Sequence, residues 1–236
     1  MKNPMYNKYA QEYARVIQDN IYNANFERPS LLAMLPELKD LKVLDLACGP
    51  GAYAEYLLNA GAKVTAVDNS EEMVQIVKTK FGSKINCYLQ DIGAGLPHEK
   101  DNSYDLVICP LAIHYIENLE VLFHDIARVL RDKGLFVFST HHTLLDYQSS
   151  PSGNYFACEL VEEKWDTIGK PVEVKFYRRS LSELFSYIFD AGLSITGFSE
   201  GCTTEKVGKI SEERYKRLKS TPQFMFIKCQ FTSNTP

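Results

Sequence analysis

The sequence lacks the features of a membrane protein, a disulfide-bonded scaffold or a metal site. No stretch reaches the roughly 18 consecutive apolar residues of a membrane-spanning helix, and the N-terminus has no apolar run of signal-peptide length. The six cysteines, at positions 48, 87, 109, 158, 202 and 229, include no C-x-x-C pair. We therefore expect free thiols, no bound metal, no membrane association and a cytoplasmic location.

The sequence also lacks an excess of either charge. Its 26 Lys and Arg against 30 Asp and Glu give a formal charge of −4, which provides no global field for binding nucleic acid. Hydrophobic residues make up 45% and aromatic residues 12%, enough to fill a core. At 236 residues the chain is expected to form one large domain, or one domain with a small cap. The composition leaves the oligomeric state open.

Short β-branched runs alternate with helical patterns from residue 42 onward, which is typical of βαβ units and a parallel sheet. Ser70 is predicted to cap one helix that Gly82 ends, and Ser180 to cap another. The chain is predicted to divide into a helical lid at 1–40 and a domain at 41–236, with a cap or loop insertion at about 143–178. Strands are predicted at 42–46, 63–67, 85–89, 104–109, 135–140, 172–177, 193–199 and 223–231.

The first predicted strand runs through Asp45 into a glycine turn at Gly49 and Gly51, and then into a helix. In an open α/β sheet, ligands bind beyond the carboxyl ends of the strands, so this turn is a predicted binding site. Asp68, at the end of the second strand, can accept hydrogen bonds from two ribose hydroxyls. Asp91, after the third strand, is placed to accept from an adenine amino group. Together these residues indicate a nucleoside ligand.

Two cofactors fit the turn. The spacing Gly49-x-Gly51-x-x-Ala54 matches the dinucleotide pattern, which would make the protein an NAD-dependent oxidoreductase. However, Pro50 removes a backbone donor that a pyrophosphate would use, and Asp45 would oppose a diphosphate while suiting a cationic ligand. The residues therefore favour an ammonium or sulfonium compound over NAD. A third interpretation is a nucleoside-binding module without catalysis.

At these positions the chain resembles the class I S-adenosylmethionine-dependent methyltransferases, especially the small-molecule branch that includes quinone-biosynthesis enzymes. The resemblance is strong over about residues 40–140. It implies a Rossmann-like α/β fold with a seven-stranded, mostly parallel sheet in the order 3-2-1-4-5-7-6. The last strand would be antiparallel, with helices on both faces and a small cap. It also implies that S-adenosylmethionine is the cofactor.

The resemblance further implies a set of cofactor-binding residues. The methionine end would lie among Asp45, Ala47, Gly49 and Gly51, and the end of strand four would contribute Pro110 and Leu111. Ala47 replaces the commonest first glycine of the family. The lid tyrosine Tyr13 would reach the cofactor carboxylate. The ribose and adenine would contact Asp68, Asn69, Met73, Asp91 and Ile92.

Methyl transfer is an in-line displacement at an activated carbon, so the protein need mainly align the acceptor and exclude water. A base is needed only for weakly acidic acceptors, and His114 and His141 follow strands four and five at the predicted pocket. We expect a small-molecule acceptor methylated at oxygen, nitrogen or carbon. The residues predicted to contact it are Tyr115, His142, Tyr155, Trp165 and Arg178.

Overall fold

A computed structural model of the chain describes residues 3–232, so residues 1–2 of the predicted lid and 233–236 of the predicted domain lie outside the described residues. Nine strands form within this range. Their bounds are β1 Lys42–Leu46, β2 Lys63–Asp68, β3 Asn86–Leu89, β4 Tyr104–Pro110, β5 Leu130–His141, β6 Glu159–Trp165, β7 Val172–Arg178, β8 Leu193–Ser199 and β9 Phe224–Phe231.

Seven of these strands form one sheet in the order β3-β2-β1-β4-β5-β9-β8. Strands β6 and β7 pair separately as an antiparallel hairpin, so the order within the main sheet is the predicted 3-2-1-4-5-7-6. Strands β1 to β5 pair in parallel, and β9 is antiparallel to both of its neighbours. The expected fold class is confirmed.

The helices cover both faces of the sheet, which is why its central strands are almost continuously apolar. In β4, Val107 and Cys109 pack into one hydrophobic cluster, whereas Leu106 and Ile108 pack into the other. The helices are α1 Ala10–Val16, α2 Arg28–Leu32, α3 Ala52–Asn59, α4 Glu71–Phe81, α5 Glu120–Val129, α6 Thr143–Asp146, α7 Leu181–Asp190, α8 Glu205–Ile210 and α9 Glu212–Ser220, with a π-helical turn at Asn23–Glu27.

Local capping chemistry sets several helix ends as predicted. The Ser70 hydroxyl accepts the Met73 N–H at 3.2 Å at the start of α4, and Gly82 follows its end at a φ of +56°. Ser180 begins α7 in the same way. The predicted start of strand five at residue 135 is wrong, because β5 already begins at Leu130 and bends through Lys133 at a φ of +61°.

The lid and cap segments lie at the carboxyl edge of the sheet. Residues 10–32 form two short helices and the π-helical turn, and residues 143–178 form α6 and the β6–β7 hairpin. Across residues 3–232, every helix is too short or too polar to cross a lipid bilayer. In the same range, no three His, Cys, Asp or Glu side chains are grouped so that they could hold a metal ion.

Candidate functional site

Two cavities meet at the carboxyl edge of the sheet. The first has a volume of about 440 Å³ and lies over the β1–α3 loop, and the second has a volume of about 520 Å³ and lies under the cap. Both volumes are typical of small-molecule sites. Their common wall consists of Tyr6, Tyr13, Asn23, Leu111 and Tyr115. A group bound in the first cavity therefore lies next to a molecule bound in the second.

The β1–α3 loop forms the floor of the first cavity. Ala47 and Gly49 line this cavity, each at a φ of +53°, and a Cβ placed on Gly49 would meet no atom within 4 Å. A residue other than glycine in this conformation carries backbone strain, so Ala47 is held there by its surroundings. Gly51 does not line the cavity. A Cβ there would lie 2.7 Å from the Phe81 ring, so Gly51 permits close packing of α4 instead of the predicted ligand contact.

Asp45 lines the first cavity and is completely buried, yet neither carboxylate oxygen has a hydrogen-bond partner. Burial raises the pKa of this carboxyl well above its ordinary value, and the neighbouring Asp68 and Cys87 raise it further. An unpaired buried carboxylate is costly. A ligand ammonium group in the cavity would satisfy it, which is the fit expected for the methionine end of S-adenosylmethionine.

Asp68 is held in place by backbone donors. The N–H of Gly49 donates to Oδ2 at 2.8 Å and the N–H of Ser70 to Oδ1 at 2.9 Å. Burial raises the pKa of the carboxyl, while these N–H groups partly oppose the rise. Each oxygen retains a lone pair, so Asp68 can also accept hydrogen bonds from two ribose hydroxyls.

The residues that were predicted to bind adenine, Asp91 and Ile92, also line the first cavity. Asp91 lines the first cavity, and its Oδ1 accepts the Gly93 N–H at 2.9 Å. This bond orients the carboxylate at the turn that follows β3. The predicted residues that line the cavity besides the aspartates and the loop are Tyr13, Asn69, Met73, Ile92, Pro110 and Leu111.

Two charged lid residues that sequence reasoning missed also line the first cavity. Glu27 accepts hydrogen bonds from the Ser139 hydroxyl at 2.6 Å and the Tyr53 hydroxyl at 2.9 Å. Arg28 donates from Nη2 to the Ile17 carbonyl at 2.9 Å, and its buried Nε has no partner. A ligand carboxylate could bind to Arg28. No local sequence motif predicts either residue, because their positions at the cavity depend on how the lid packs.

Tyrosines form the wall between the two cavities. The hydroxyls of Tyr6 and Tyr115 lie 2.6 Å apart, and the rings of Tyr6 and Tyr13 meet edge to face at 4.9 Å. The Ser70 hydroxyl donates to the Tyr6 carbonyl at 2.8 Å, which ties the lid to the cofactor side. Burial raises the pKa of both Tyr6 and Tyr13, so these hydroxyls stay neutral.

Both predicted catalytic histidines line the second cavity. The rings of His114 and His141 stack with centroids 3.9 Å apart. Burial lowers the pKa of His114 well below its ordinary value, and the neighbouring His141 and Arg179 contribute to the decrease. His141 Nδ1 lies 3.3 Å from Asp146 Oδ1. Asp146, which sequence reasoning missed, thus fixes the orientation of the His141 ring.

Three predicted acceptor residues are not brought to the cavities. His142 Nε2 lies 3.0 Å from Glu200 Oε1, and its Nδ1 accepts the Leu144 N–H of α6 at 3.3 Å. The Tyr155 hydroxyl accepts the Leu181 N–H at 3.1 Å. Arg178 is 1% exposed, and its Nε donates to Glu159 at 2.6 Å. The expectation that these three face the acceptor is wrong, because each stabilises the cap. By contrast, Tyr115 and Trp165 do line the second cavity.

The fold and the site thus define an α/β protein with two adjoining cavities at the carboxyl edge of its sheet. A sequence profile described as a methyltransferase domain matches residues 44–138. A solved S-adenosylmethionine-dependent methyltransferase from Mesorhizobium loti is 26% identical, with a TM-score of 0.70 over 86% of this chain and 97% of that chain. These similarities support a class I S-adenosylmethionine-dependent methyltransferase, a type of enzyme whose methyl donor is S-adenosylmethionine.

Curated relatives match part of the chain. The malonyl-[acyl-carrier protein] O-methyltransferase of Pectobacterium atrosepticum is 31% identical over 57% of this chain and 54% of its own length. The ubiquinone biosynthesis O-methyltransferase of Rickettsia bellii is 32% identical over 44% of this chain and 43% of its own length. The chain thus spans about half the length of these two enzymes. These relationships favour S-adenosylmethionine over the NAD-dependent alternative.

Proposed function

We propose that the protein transfers the methyl group of S-adenosylmethionine to a small acceptor bound in the second cavity. The observation that carries this proposal is the common wall of the two cavities. On one side lies the unpaired carboxylate of Asp45, and on the other lies His141 with its partner Asp146. A donor in the first cavity and an acceptor in the second would then lie on either side of this wall, with their binding groups kept separate.

The cofactor would be held through its charged and polar groups. Asp45 would bind the ammonium group, Arg28 the carboxylate and Asp68 the ribose, in each case through groups that already face the first cavity. When bound, S-adenosylmethionine supplies a methyl group activated by its sulfonium centre. The adenine would lie beside Asp91 and Ile92.

The residues of the second cavity would orient the acceptor and remove its proton. His141 Nδ1 faces Asp146, which leaves Nε2 to accept a proton from the acceptor hydroxyl. His114 stays neutral and stacks on His141, so it holds the ring without competing for the proton. The aromatic side chains of Trp165 and Phe176 would exclude water from the reacting atoms.

An oxygen nucleophile is favoured among the possible acceptors. Two named relatives are O-methyltransferases, and a hydroxyl is the acceptor that gains most from a histidine base.

All six cysteines are free thiols, which supports a reducing, cytoplasmic location. The alternative of a nucleoside-binding module without catalysis would retain the first cavity but would not methylate an acceptor.

Isothermal titration of the purified protein with S-adenosylhomocysteine and with NADH tests the cofactor assignment. We expect S-adenosylhomocysteine to bind and NADH not to bind. Absence of S-adenosylhomocysteine binding to folded protein would contradict the proposal. Mass spectrometry of reactions with S-adenosylmethionine and a panel of hydroxylated metabolites tests catalysis. Cofactor binding without a methylated product across the panel would favour the non-catalytic module.

A further inference from the structure

Two arginines of α9 line the second cavity, although they belong to a basic segment that otherwise has the pattern of a solvated helix face. Arg214 and Arg217 are three residues apart and therefore lie on the same side of the helix. Lys216 and Lys219, on the same helix, do not line the cavity. The cavity thus has a cationic wall that comes from one face of α9.

Neither arginine is neutralised by the protein. Across residues 3–232, no carboxylate forms an ion pair with either guanidinium, whereas Lys216 pairs with Glu212 at 2.7 Å. The Arg214 guanidinium lies over the Tyr22 ring at 5.6 Å, which holds it beside the cavity. Their N–H donors are therefore available to a ligand, and guanidinium groups suit carboxylates and phosphates in particular.

The acidic residues of the cavity offset this charge only in part. Asp146 faces His141, and Glu163 accepts hydrogen bonds from Ser149 at 2.6 Å and Trp165 at 2.9 Å. Asp166 is exposed and lies near the exposed Lys164 in sequence. Lys164 of the cap also lines the cavity, and among the described residues no carboxylate forms an ion pair with it. Arg214 and Arg217 are thus two of three cationic side chains here without an acidic partner, and the two that share one helix face.

One part of the remaining wall is aromatic, beside polar side chains that include Asn20, Gln148 and Gln223. Trp165 and Phe176 pack with ring centroids 5.9 Å apart, and Phe224 lies 6.1 Å from the His141 ring. We propose that the acceptor has a flat hydrocarbon body and an anionic group, carboxylate or phosphate, which binds to Arg214 and Arg217. This inference rests on the proposed function, since it assigns the substrate class of the second cavity.

Binding of three probes to the full chain saturated with S-adenosylhomocysteine tests the inference. The probes are 1-naphthoate, 1-naphthyl phosphate and the uncharged methyl 1-naphthoate, and isothermal titration measures each affinity. We expect at least one anion to bind more tightly than the ester. We also expect the double variant R214Q/R217Q to bind that anion about tenfold more weakly and to bind the ester with unchanged affinity. This is the size of effect expected when two exposed charge contacts are lost. The preferred anion distinguishes a carboxylate from a phosphate.

The variant K216Q/K219Q is the matched control, because it removes the same charge from the same helix but outside the cavity. It should bind each probe as the wild type does. Equal affinities for the ester and both anions, no binding of either anion, or an equal loss in both double variants would overturn the inference. S-adenosylhomocysteine binding is measured separately in the same proteins. Its failure would overturn the proposed function, whereas its retention with failed anion binding would overturn only the assigned acceptor class.

Discussion

Replacement of Glu27 by glutamine should make the ligand-free protein more stable at pH 8 and less dependent on pH. Glu27 is 2% exposed, and its carboxylate accepts hydrogen bonds from Ser139 and Tyr53. Burial raises the pKa of this carboxyl from 4.5 to about 7, while those hydrogen bonds and the nearby Arg28 charge limit the rise. The folded protein therefore binds this proton more tightly than the unfolded chain does.

The sign follows from this difference in pKa. Stability is highest below pH 4.5, decreases as pH rises from 4.5 to about 7, and is flat above that range as far as Glu27 is concerned. At about 1.4 kcal/mol for each pH unit, the decrease amounts to about 3 kcal/mol. Glutamine carries no charge, so the E27Q variant should lack this decrease.

Thermal unfolding of both proteins at pH 5 and pH 8, without cofactor, measures the effect. We expect E27Q to unfold roughly 6–10 °C above the wild type at pH 8 and to differ little from it at pH 5. Glu37, which is exposed, provides a control, and E37Q should leave both transitions unchanged. A variant with the same pH dependence as the wild type, or one less stable at pH 8, would refute the reasoning.

Two further substitutions test the site itself. Asp68→Ala should weaken S-adenosylhomocysteine binding by about 1.5–3 kcal/mol, because charge-assisted hydrogen bonds to the ribose are lost; unchanged affinity in a titration would remove Asp68 from the ribose. Asp146→Asn should lower kcat about tenfold or more and alter its pH profile while sparing cofactor affinity, because it no longer orients His141 through a charged partner. The His141→Ala variant provides the comparison for kcat. Full turnover in both variants would mean that alignment of the acceptor suffices for methyl transfer without a base.

The sheet and much of the cofactor side could be predicted because their signals are local. Asp45 and Gly49 lie within five residues of one strand end, and Asp68 ends the next strand. The carboxyl ends of neighbouring parallel strands must meet at one edge, so sequence position alone brings these residues together. Gly51 shows the limit of the pattern, because its spacing fits ligand binding whereas its φ of +79° and its contact with Phe81 serve packing.

The lid residues of the first cavity and the acceptor side could not be predicted in the same way, since these residues are brought together by tertiary packing. Glu27 reaches Ser139 across 112 residues of sequence, and no spacing rule connects them. Arg178 and Arg217 illustrate the difficulty from opposite directions. Arg178 lies in the cap but is buried against Glu159, whereas Arg217 belongs to a pattern typical of a solvated helix and yet faces the cavity.

The contrast between these arginines has a simple electrostatic cause. The cap places Glu159 opposite Arg178 across the β6–β7 hairpin, and a charge this deeply buried must be paired to remain stable. A guanidinium at a cavity mouth keeps its water and needs no protein partner. Within such a site, the arginines without an acidic partner are therefore the ones available to a ligand. We therefore expect the arginines of α9, rather than Arg178 of the cap, to determine which acceptors the enzyme takes.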